Sequence, residues 1–184
     1  MYRQCTTEKT SLQQKQFETT LLAMMQEQDY NEIRITDLCK RAELTRNIFY
    51  RLFDSKEDVL FFMIDNCFLK CSNSTKDIST KEKLVHFFEF WKSKRLILEV
   101  LNKNRLGVYL VTRGIPCCFL SDLGLQQMVD AEWKDYDKEI LSFYLSGFIG
   151  LLFYWCNNNF HLSSEEMAEI AYQISTNPPL IPLE

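Results

Sequence analysis

Side chains that can hydrogen-bond nucleic acid are concentrated in one short stretch of the chain. Arg46, Asn47, Tyr50 and Arg51 follow Thr45 there, and apolar residues fill the positions between them. In a helix, this spacing puts the apolar side chains on one face and the polar side chains on the other. A helix fits the major groove of DNA, where arginine and asparagine can bind base edges. The stretch therefore predicts a helix whose outer face can read or grip DNA.

A second apolar pattern comes directly before this stretch. Ile35, Leu38, Cys39 and Ala42 recur at i, i+3, i+4 and i+7, which is typical of a helix with one buried face. Thr45 is suited to cap the helix that follows, because its hydroxyl can accept a hydrogen bond from an unpaired N–H group. Two short helices joined by a tight polar turn indicate a helix-turn-helix unit.

The same segment resembles the DNA-binding domain of the tetracycline-repressor (TetR/AcrR) family of transcriptional regulators. The positions that match the family's pattern follow its spacing without a gap and are Asp37-Leu38, Ala42-Glu43-Leu44, Thr45 to Phe53, and Ser55-Lys56-Glu57. Three positions depart from the pattern. Glu43 and Asn47 stand where the family usually has glycine, and Arg34 stands at the usual Ser/Thr cap of the second helix.

The resemblance implies an all-α protein of about nine helices. Its N-terminal part would be a three-helix DNA-binding domain, and its C-terminal part a helical ligand-binding and dimerisation domain. The resemblance also implies backbone phosphate contacts at Tyr50 and Lys56. We expect contacts to bases or nearby backbone from Thr45, Arg46, Asn47 and Arg51, and contacts to phosphate from Arg34, Thr36, Tyr50 and Lys56.

The charge of the chain is compatible with this prediction only because the charge is unevenly distributed. The 184 residues carry a formal net charge of −4, whereas nucleic-acid-binding proteins are often basic. Between Arg34 and Lys56, however, six cations face three carboxylates, a local balance of +3. Residues 71–184 hold 11 cations and 14 carboxylates, a balance of −3. Salt screens the distant acidic groups over about 8 Å, so the local balance dominates.

Further apolar patterns place the remaining helices. Phe17, Leu21, Met24 and Met25 predict a first helix that covers the helix-turn-helix unit. A long apolar stripe runs from Ser55 to Phe68 and predicts a helix that connects two domains, while residues 72–80 break the periodicity. We expect a DNA-binding domain at residues 1–54, a connecting helix at 55–72 and a regulatory and dimerisation domain at 73–184.

The second domain repeats the same signals. Ser79 with Glu82 and Ser163 with Glu166 have the spacing of helix-starting capping boxes. Residues 96–110 have a mainly helical pattern, and Gly114 and Pro116 are expected to interrupt it because proline cannot donate a helix hydrogen bond.

Residues 140–156 contain no charged side chain. A membrane span needs about 20 apolar residues, and this stretch is shorter and contains serines, so a buried core helix is the favoured interpretation and no membrane association is expected. Together with the following helix, it resembles the dimerisation pair of the TetR family. The expected dimer-interface residues are Ser142, Ser146, Ile149, Gly150, Phe153, Met167, Ile170 and Ile174.

A ligand pocket in the second domain is a weaker prediction. Aromatic side chains there could line an apolar cavity for a drug-sized molecule, although the same spacing also fits ordinary core packing. Arg113 could pair with an anionic ligand or face water. The candidate pocket residues are Phe87, Trp91, Tyr109, Arg113, Phe119, Phe143 and Tyr144.

Other classes of protein fit the sequence poorly. It has no nucleophile elbow, phosphate-binding loop or HExxH motif, so we expect no enzyme activity and no cofactor. The seven cysteines include no CxxC pair, which favours reduced thiols in a cytoplasm and no metal site. The predicted function is a homodimeric, ligand-responsive repressor that binds a palindromic operator in double-stranded DNA. The alternative is a TetR-like helical co-activator that docks on another protein.

Overall fold

The computed structural model describes residues 2–3, 7–72, 78–120 and 137–176, without the side chains of residues 117–120 and 137. Every regular element in these ranges is helical, which confirms the all-α prediction. The α-helices are α1 (Glu8–Glu27), α2 (Ile35–Arg41), α3 (Arg46–Leu52), α4 (Lys56–Ser72), α5 (Thr80–Ser93), α6 (Arg95–Lys103), α7 (Gly107–Leu120), α8 (Asp137–Asn157) and α9 (Ser164–Thr176). A short 3-10 turn, Tyr30–Glu32, lies between α1 and α2.

Polar side chains begin several helices where the sequence predicts them. Ser79 and Glu82 form the capping box of α5: the Ser79 hydroxyl accepts the Glu82 N–H at 3.3 Å, and the Glu82 carboxylate accepts the Ser79 N–H at 2.8 Å. The same exchange precedes α9. At the start of α4, Ser55 Oγ accepts the N–H of Asp58 at 3.3 Å. These bonds satisfy N–H groups that have no partner within the helix.

Three phenylalanines hold α1 and α3 together. Phe17 of α1 meets Phe49 of α3 and Phe53 just beyond it, with ring centroids 5.3 Å and 6.0 Å apart and the ring planes nearly perpendicular. All three side chains are fully buried. Edge-to-face packing of this kind adds about 1 kcal/mol per pair to the effect of burial. Because α3 has only seven residues, it depends on this packing to remain helical.

The connecting helix α4 joins the core of the first half of the protein (α1–α3) to the core of the second half (α5–α9). Its residues Val59, Leu60 and Ile64 are fully buried. Further along α4, Phe68 packs edge-on against Trp91 of α5, with ring centroids 5.3 Å apart. The buried apolar residues on both sides form one contiguous cluster. A displacement of α4 would therefore disturb packing in both halves.

Helix α8 is the one described helix that is long and apolar enough to cross a membrane by length and composition, over Lys138–Asn157. Core helices pass the same test when they are buried. In α8, Leu145, Leu152 and Trp155 are almost completely buried, and Trp155 meets Phe88 of α5 with ring centroids 5.8 Å apart. The packing fits a core helix of the second half.

Residues 96–110 are mainly helical, as expected, but they belong to two helices: α6 ends at Lys103 and α7 begins at Gly107, with Arg105 between them in the left-handed region at φ 58°. A second expectation about this part of the chain was wrong. Gly114 and Pro116 do not interrupt the next helix, because α7 continues through both to Leu120. Packing overrides local preference here. Gly114 lies against Phe68 of α4, and Leu110, one turn earlier, is fully buried.

The break after α6 has a structural role that the sequence did not reveal. Asn104 ends α6 and is buried. Its Oδ1 accepts the main-chain N–H of Tyr30 at 2.7 Å, and its Nδ2 donates to the carbonyls of Val100 at 2.8 Å and Met25 at 3.3 Å. The neighbouring Lys103 donates to the Gln26 carbonyl at 2.7 Å. The end of α6 thus attaches directly to the backbone that leads from α1 into the helix-turn-helix unit.

We predict that Gly114→Ala lowers the free energy of unfolding by about 1 kcal/mol or more, because overpacking costs about 1–3 kcal/mol and the gain in helix propensity offsets only part of it. A Cβ at Gly114 would lie 2.5 Å from Phe68 Cζ, and the Phe68 ring is confined by Trp91. Urea denaturation measures the change. The control is Thr112→Ala, an exposed change on the same helix, which should alter stability by less than about 0.5 kcal/mol. Equal effects of the two changes would contradict the prediction.

Candidate nucleic-acid interface

The helix-turn-helix unit consists of α2, a four-residue turn and α3. Leu38 and Cys39 of α2 are buried, as is Ala42 where the helix ends. On α3, Phe49 and Leu52 are buried. The predicted core faces of both helices are confirmed, and they leave the opposite face of α3 in solvent.

Glu43 holds the most demanding backbone conformation in the turn. Its φ is 53°, in the left-handed region, and its N–H donates to the Lys40 carbonyl at 3.2 Å. The next N–H, of Leu44, donates to the Cys39 carbonyl at 3.0 Å. These two bonds make a Schellman ending of α2, in which the left-handed position favours glycine. A glutamate there tolerates a conformation that costs about 1–2 kcal/mol for a residue with a Cβ.

Helix α3 presents an exposed polar face. Thr45 caps the helix, with its hydroxyl accepting the Ile48 N–H at 3.3 Å. Beyond the cap, Arg46, Asn47 and Tyr50 are exposed, and the Arg46 guanidinium lies 5.9 Å from the centre of the Tyr50 ring. A cation at this distance is attracted to the ring. The structure therefore brings together three of the predicted DNA-contacting side chains on one surface.

Arg51 lies on α3 but is directed towards α1. Its Nη2 donates to Gln13 Oε1 at 3.0 Å, and its main-chain carbonyl accepts from the Arg3 guanidinium at 3.1 Å. The residue as a whole remains exposed. Local patterns could not predict these partners, since Arg3 and Gln13 are 48 and 38 residues away.

Lys56 is occupied within the protein. Its ammonium group donates to the carbonyls of Tyr30 at 2.6 Å and Ile33 at 3.0 Å, and it lies 4.2 Å from the centre of the Tyr30 ring. Burial lowers the pKa of Lys56 from its usual value, although the nearby carboxylates of Glu57 and Asp29 oppose the shift. The structure thus places Lys56 as an anchor between α4 and the 3-10 turn, apart from the exposed face of α3.

The two predicted contact residues at the start of α2 are both exposed. Arg34 precedes the helix and makes no side-chain capping bond, as its departure from the family pattern suggests, and Thr36 lies in the first turn. At the other end of α2, Arg41 forms a two-bond ion pair with Glu27 of α1. This pairing lowers the pKa of Glu27 and cancels one of the local positive charges.

The candidate pocket residues differ in burial and do not share one environment. Trp91 and Phe87 are buried in the core, Tyr109 and Tyr144 are half-buried, and Tyr144 donates to the Ser175 carbonyl at 3.1 Å. Phe143 is 75% exposed, so its assignment to a pocket lining was wrong: it projects from the outer face of α8. The side chain of Phe119 lies outside the described residues.

Arg113 is only partly exposed and is paired with a carboxylate within the protein. Its Nε donates to Asp65 Oδ1 of α4 at 2.9 Å, and its Nη2 donates to the second oxygen of the same carboxylate. A cavity of about 560 Å³ does lie between the N-terminal segment, α1 and α4, but none of the seven candidate pocket residues lines it.

The predicted dimer-interface residues divide into three groups by burial. Ile149 and Met167 are buried inside the protomer, so they belong to its core and cannot reach a partner. Ser142 and Phe153 are half-buried. The remaining four, Ser146, Gly150, Ile170 and Ile174, are exposed on α8 and α9.

No cluster of three or more His, Cys, Asp or Glu side chains within the described ranges could hold a metal ion. The cysteines Cys39, Cys67, Cys71 and Cys156 are buried. Burial raises the pKa of Cys67 to about 11, which keeps that thiol protonated and unreactive at neutral pH.

The buried faces of α2 and α3, the cover provided by α1 and the helical second half define a helix-turn-helix DNA-binding protein. Residues 20–61 match the family of bacterial regulatory proteins called the tetR family, and residues 79–177 match the transcriptional regulator C-terminal region. The chain therefore belongs to the TetR family and is a DNA-binding transcriptional regulator. Regulators of this family are generally non-enzymatic.

Individual relatives are distant. The chain is 20% identical over 148 residues to the HTH-type dhaKLM operon transcriptional activator DhaS of Lactococcus lactis, covering 74% of each protein. A TetR transcriptional regulator from Streptococcus agalactiae has a similar solved structure, with a TM-score of 0.67, 18% identity, and coverage of 91% of this chain and 95% of that one. The solved dihydroxyacetone kinase operon activator DhaS gives a TM-score of 0.59 at 16% identity, covering 89% and 93%. At these identities, the structures support the fold alone.

We predict that Glu43→Gly raises the free energy of unfolding by about 0.5–1 kcal/mol. Glycine removes the cost of the left-handed conformation, and the greater freedom of the unfolded chain offsets part of this gain. The change appears as a higher midpoint of chemical denaturation. The control, Glu43→Ala, removes the same charge but keeps a Cβ at φ 53°, so it should bring no such gain. If alanine stabilised the protein as much as glycine, the backbone explanation would be wrong.

Proposed function

We propose that this protein is a homodimeric, effector-responsive repressor that inserts α3 of each protomer into the major groove of a palindromic operator. The observation that carries the proposal is the division of α3 into two faces. Phe49 and Leu52 are buried, while Arg46, Asn47 and Tyr50 are exposed side by side. Two such helices one turn of DNA apart, about 34–36 Å, match a palindromic site. A regulator of this kind acts in the cytoplasm with the DNA and needs no catalytic group.

Within this arrangement, the residues have different proposed roles. Arg46 and Asn47 contact base edges, since both side chains are exposed on the first turn of α3. Arg34, Thr36 and Tyr50 contact phosphate, and Arg51 contributes its outer N–H groups to the backbone nearby. Thr45 supports the first turn of α3 through its cap and adds at most a backbone contact. Lys56 acts indirectly, because its ammonium group holds the start of α4 to the 3-10 turn.

The proposed dimer interface is the exposed face of α8 and α9. Phe143, Tyr154, Ile170 and Ile174 are large apolar side chains that remain exposed there, by 75%, 63%, 38% and 42% respectively. Between them, Gly150 has open space where a side chain would be. Helices with small residues on the facing surface can approach each other closely.

The serine hydroxyls of this face are suited to burial. Ser146 Oγ donates to the Ser142 carbonyl at 2.7 Å, and Ser142 Oγ donates to the Lys138 carbonyl at 2.6 Å. Since both hydroxyls already have partners within α8, covering them with a second protomer leaves no unsatisfied donor. The domain division that goes with this proposal is residues 1–54, 55–72 and 73–184.

The proposed effector is a small molecule with a hydrogen-bond acceptor. Trp91 is completely buried in the second half, and among the described residues its Nε1 donor has no partner. Buried donors are nearly always paired, so a ligand acceptor that reaches Trp91 would satisfy a donor that the described residues leave unpaired. Phe87, one turn away, would supply apolar contact.

Activation is a second candidate for the effect of this regulator on transcription. The L. lactis relative is named as an operon activator, which favours activation, whereas repression is typical of the family. A reporter gene behind the promoter that the protein binds distinguishes the two. Deletion of the regulator raises expression for a repressor and lowers it for an activator.

We predict that Arg46→Ala weakens operator binding by about 1–3 kcal/mol, or roughly tenfold to a hundredfold in affinity, if Arg46 makes a bidentate contact to guanine. Gel shifts with fragments from the gene's own neighbourhood first identify a sequence-selective, salt-sensitive site, and titration then compares the proteins. Arg95→Ala is the matched control, because it removes an equal charge from the exposed surface of α6. Equal affinities of the two variants would remove the role assigned to Arg46. The absence of a selective shift with any fragment would favour a protein partner.

We predict that Ser146→Arg converts the dimer to a monomer, because a long charged side chain would have to be buried where two helices meet. Sedimentation velocity measures the state at a concentration where the unmodified protein is dimeric. The control is Leu12→Arg, which places the same side chain at a 64% exposed position on α1. That variant should stay dimeric. A dimeric Ser146→Arg protein would exclude this face as the interface.

A further inference from the structure

Residues Tyr2 and Arg3 lie across the C-terminal end of α3. The Arg3 N–H donates to the Leu52 carbonyl at 3.0 Å, and its guanidinium donates to the Arg51 carbonyl at 3.1 Å. The Arg3 carbonyl in turn accepts from Gln14 Nε2 of α1 at 2.7 Å. The last carbonyls of a helix have no partner within it, and a cation beside them interacts favourably with the helix dipole. Arg3 therefore serves as a C-terminal cap that also attaches α3 to α1.

Tyr2 attaches the N-terminal segment to the connecting helix α4. Its ring packs edge-on against Phe62 of α4, with centroids 5.3 Å apart. Its hydroxyl donates to Asp65 Oδ2 at 2.7 Å. The same carboxylate accepts the two bonds from Arg113 of α7. One carboxylate thus connects the N-terminal segment with a helix of the second half.

Asp65 is only 5% exposed, so its carboxylate depends on these hydrogen-bond partners in place of water. A buried carboxylate is stable in its charged form only when charges and donors surround it. Removing Arg113 takes away the positive charge and two donors, so the carboxylate must attract water or change its position. Either change alters the acceptor that holds the Tyr2 hydroxyl, and the backbone of Arg3 follows directly after Tyr2.

We propose that Tyr2 and Arg3 are positioning residues for α3, and that Asp65 couples their position to Arg113 in the regulatory half. Any event that moves α7 relative to α4 then reaches the DNA-reading helix along this chain of bonds, in addition to its effect through the apolar core. The proposal rests on the role of α3 proposed above. The contacts themselves can be tested without DNA.

The test is hydrogen–deuterium exchange of the full-length protein with Tyr2→Phe, Arg113→Met and the double variant. Tyr2→Phe removes one hydroxyl and keeps the ring on Phe62, so it should fold normally. Both single variants should exchange the amides of residues 46–53 roughly fivefold faster, the effect of losing about one hydrogen bond. The double variant should exchange no faster than the more affected single variant, because both changes interrupt one chain of contacts. Arg113→Lys, which keeps the charge, should recover part of the protection.

The matched control is Glu169→Gln, which breaks an ion pair between helices of the second half: Lys81 Nζ and Glu169 Oε2 are 2.5 Å apart. It should leave exchange in residues 46–53 unchanged. Unchanged exchange there in Arg113→Met, or equal acceleration in Glu169→Gln, would overturn the coupling. Additive effects in the double variant would show two independent contacts and would overturn it as well. Loss of operator binding in Arg46→Ala bears on the role of α3 and leaves this test unaffected.

Discussion

Phe49 must stay against Phe17 for the rest of this protein to act on DNA. An isolated helix of seven residues is unstable in water, because forming its first turn costs more than its few hydrogen bonds return. Helix α3 therefore exists only as one wall of the core that α1, Phe49 and Phe53 share. Its outer face can carry arginine, asparagine and tyrosine because Phe49 and Phe53 make the packing against α1. The short length of α3 makes this buried face necessary, and the opposite face remains polar and exposed.

Fewer cations near α3 are available to bind phosphate than the sequence suggests. Six cations lie between Arg34 and Lys56, yet the structure pairs Arg41 with Glu27 and directs Lys56 to main-chain carbonyls. Arg51 is partly engaged by Gln13. Since each neutralised phosphate contributes to the salt dependence of affinity, the electrostatic part of binding should be modest for one protomer. In the proposed dimer, two protomers on one operator would compensate for this weakness.

Periodicity and capping signals predicted most of the fold. In the predicted stripe of α2, Leu38, Cys39 and Ala42 are buried and Ile35 is half-buried, and the capping residues Thr45, Ser79 and Ser163 bond as expected. Such signals are local, because a helix repeats every 3.6 residues and its ends need partners nearby. The prediction failed where a distant neighbour decides the outcome, as in α7, which continues through Pro116 because Gly114 lets it pack on Phe68.

At the candidate site, local sequence signals likewise predict which side chains are exposed but not which distant residues they contact. Exposure of Arg46, Asn47 and Tyr50 follows from the helical repeat, but the partners of Lys56, Arg51 and Arg113 do not. Those partners lie 23 to 48 residues away in sequence. Phe143 was misplaced for a related reason: a helix that is apolar all round does not reveal which side the protomer buries and which side it leaves exposed.

The contacts between the two halves differ in how much relative movement they permit. Along α4, apolar side chains such as Phe68 and Ile64 gain from burial in any close-packed arrangement, so they allow small sliding movements. Asn104 and Asp65 do not, because a buried polar group loses its hydrogen bonds when its partner moves by about an ångström. Asn104 fixes the end of α6 to Tyr30, and Asp65 fixes α7 to α4. A packed core that is crossed by such bonds changes between discrete arrangements rather than continuously. The halves therefore hold a defined relative orientation, which is the condition under which an event in the second half can alter α3.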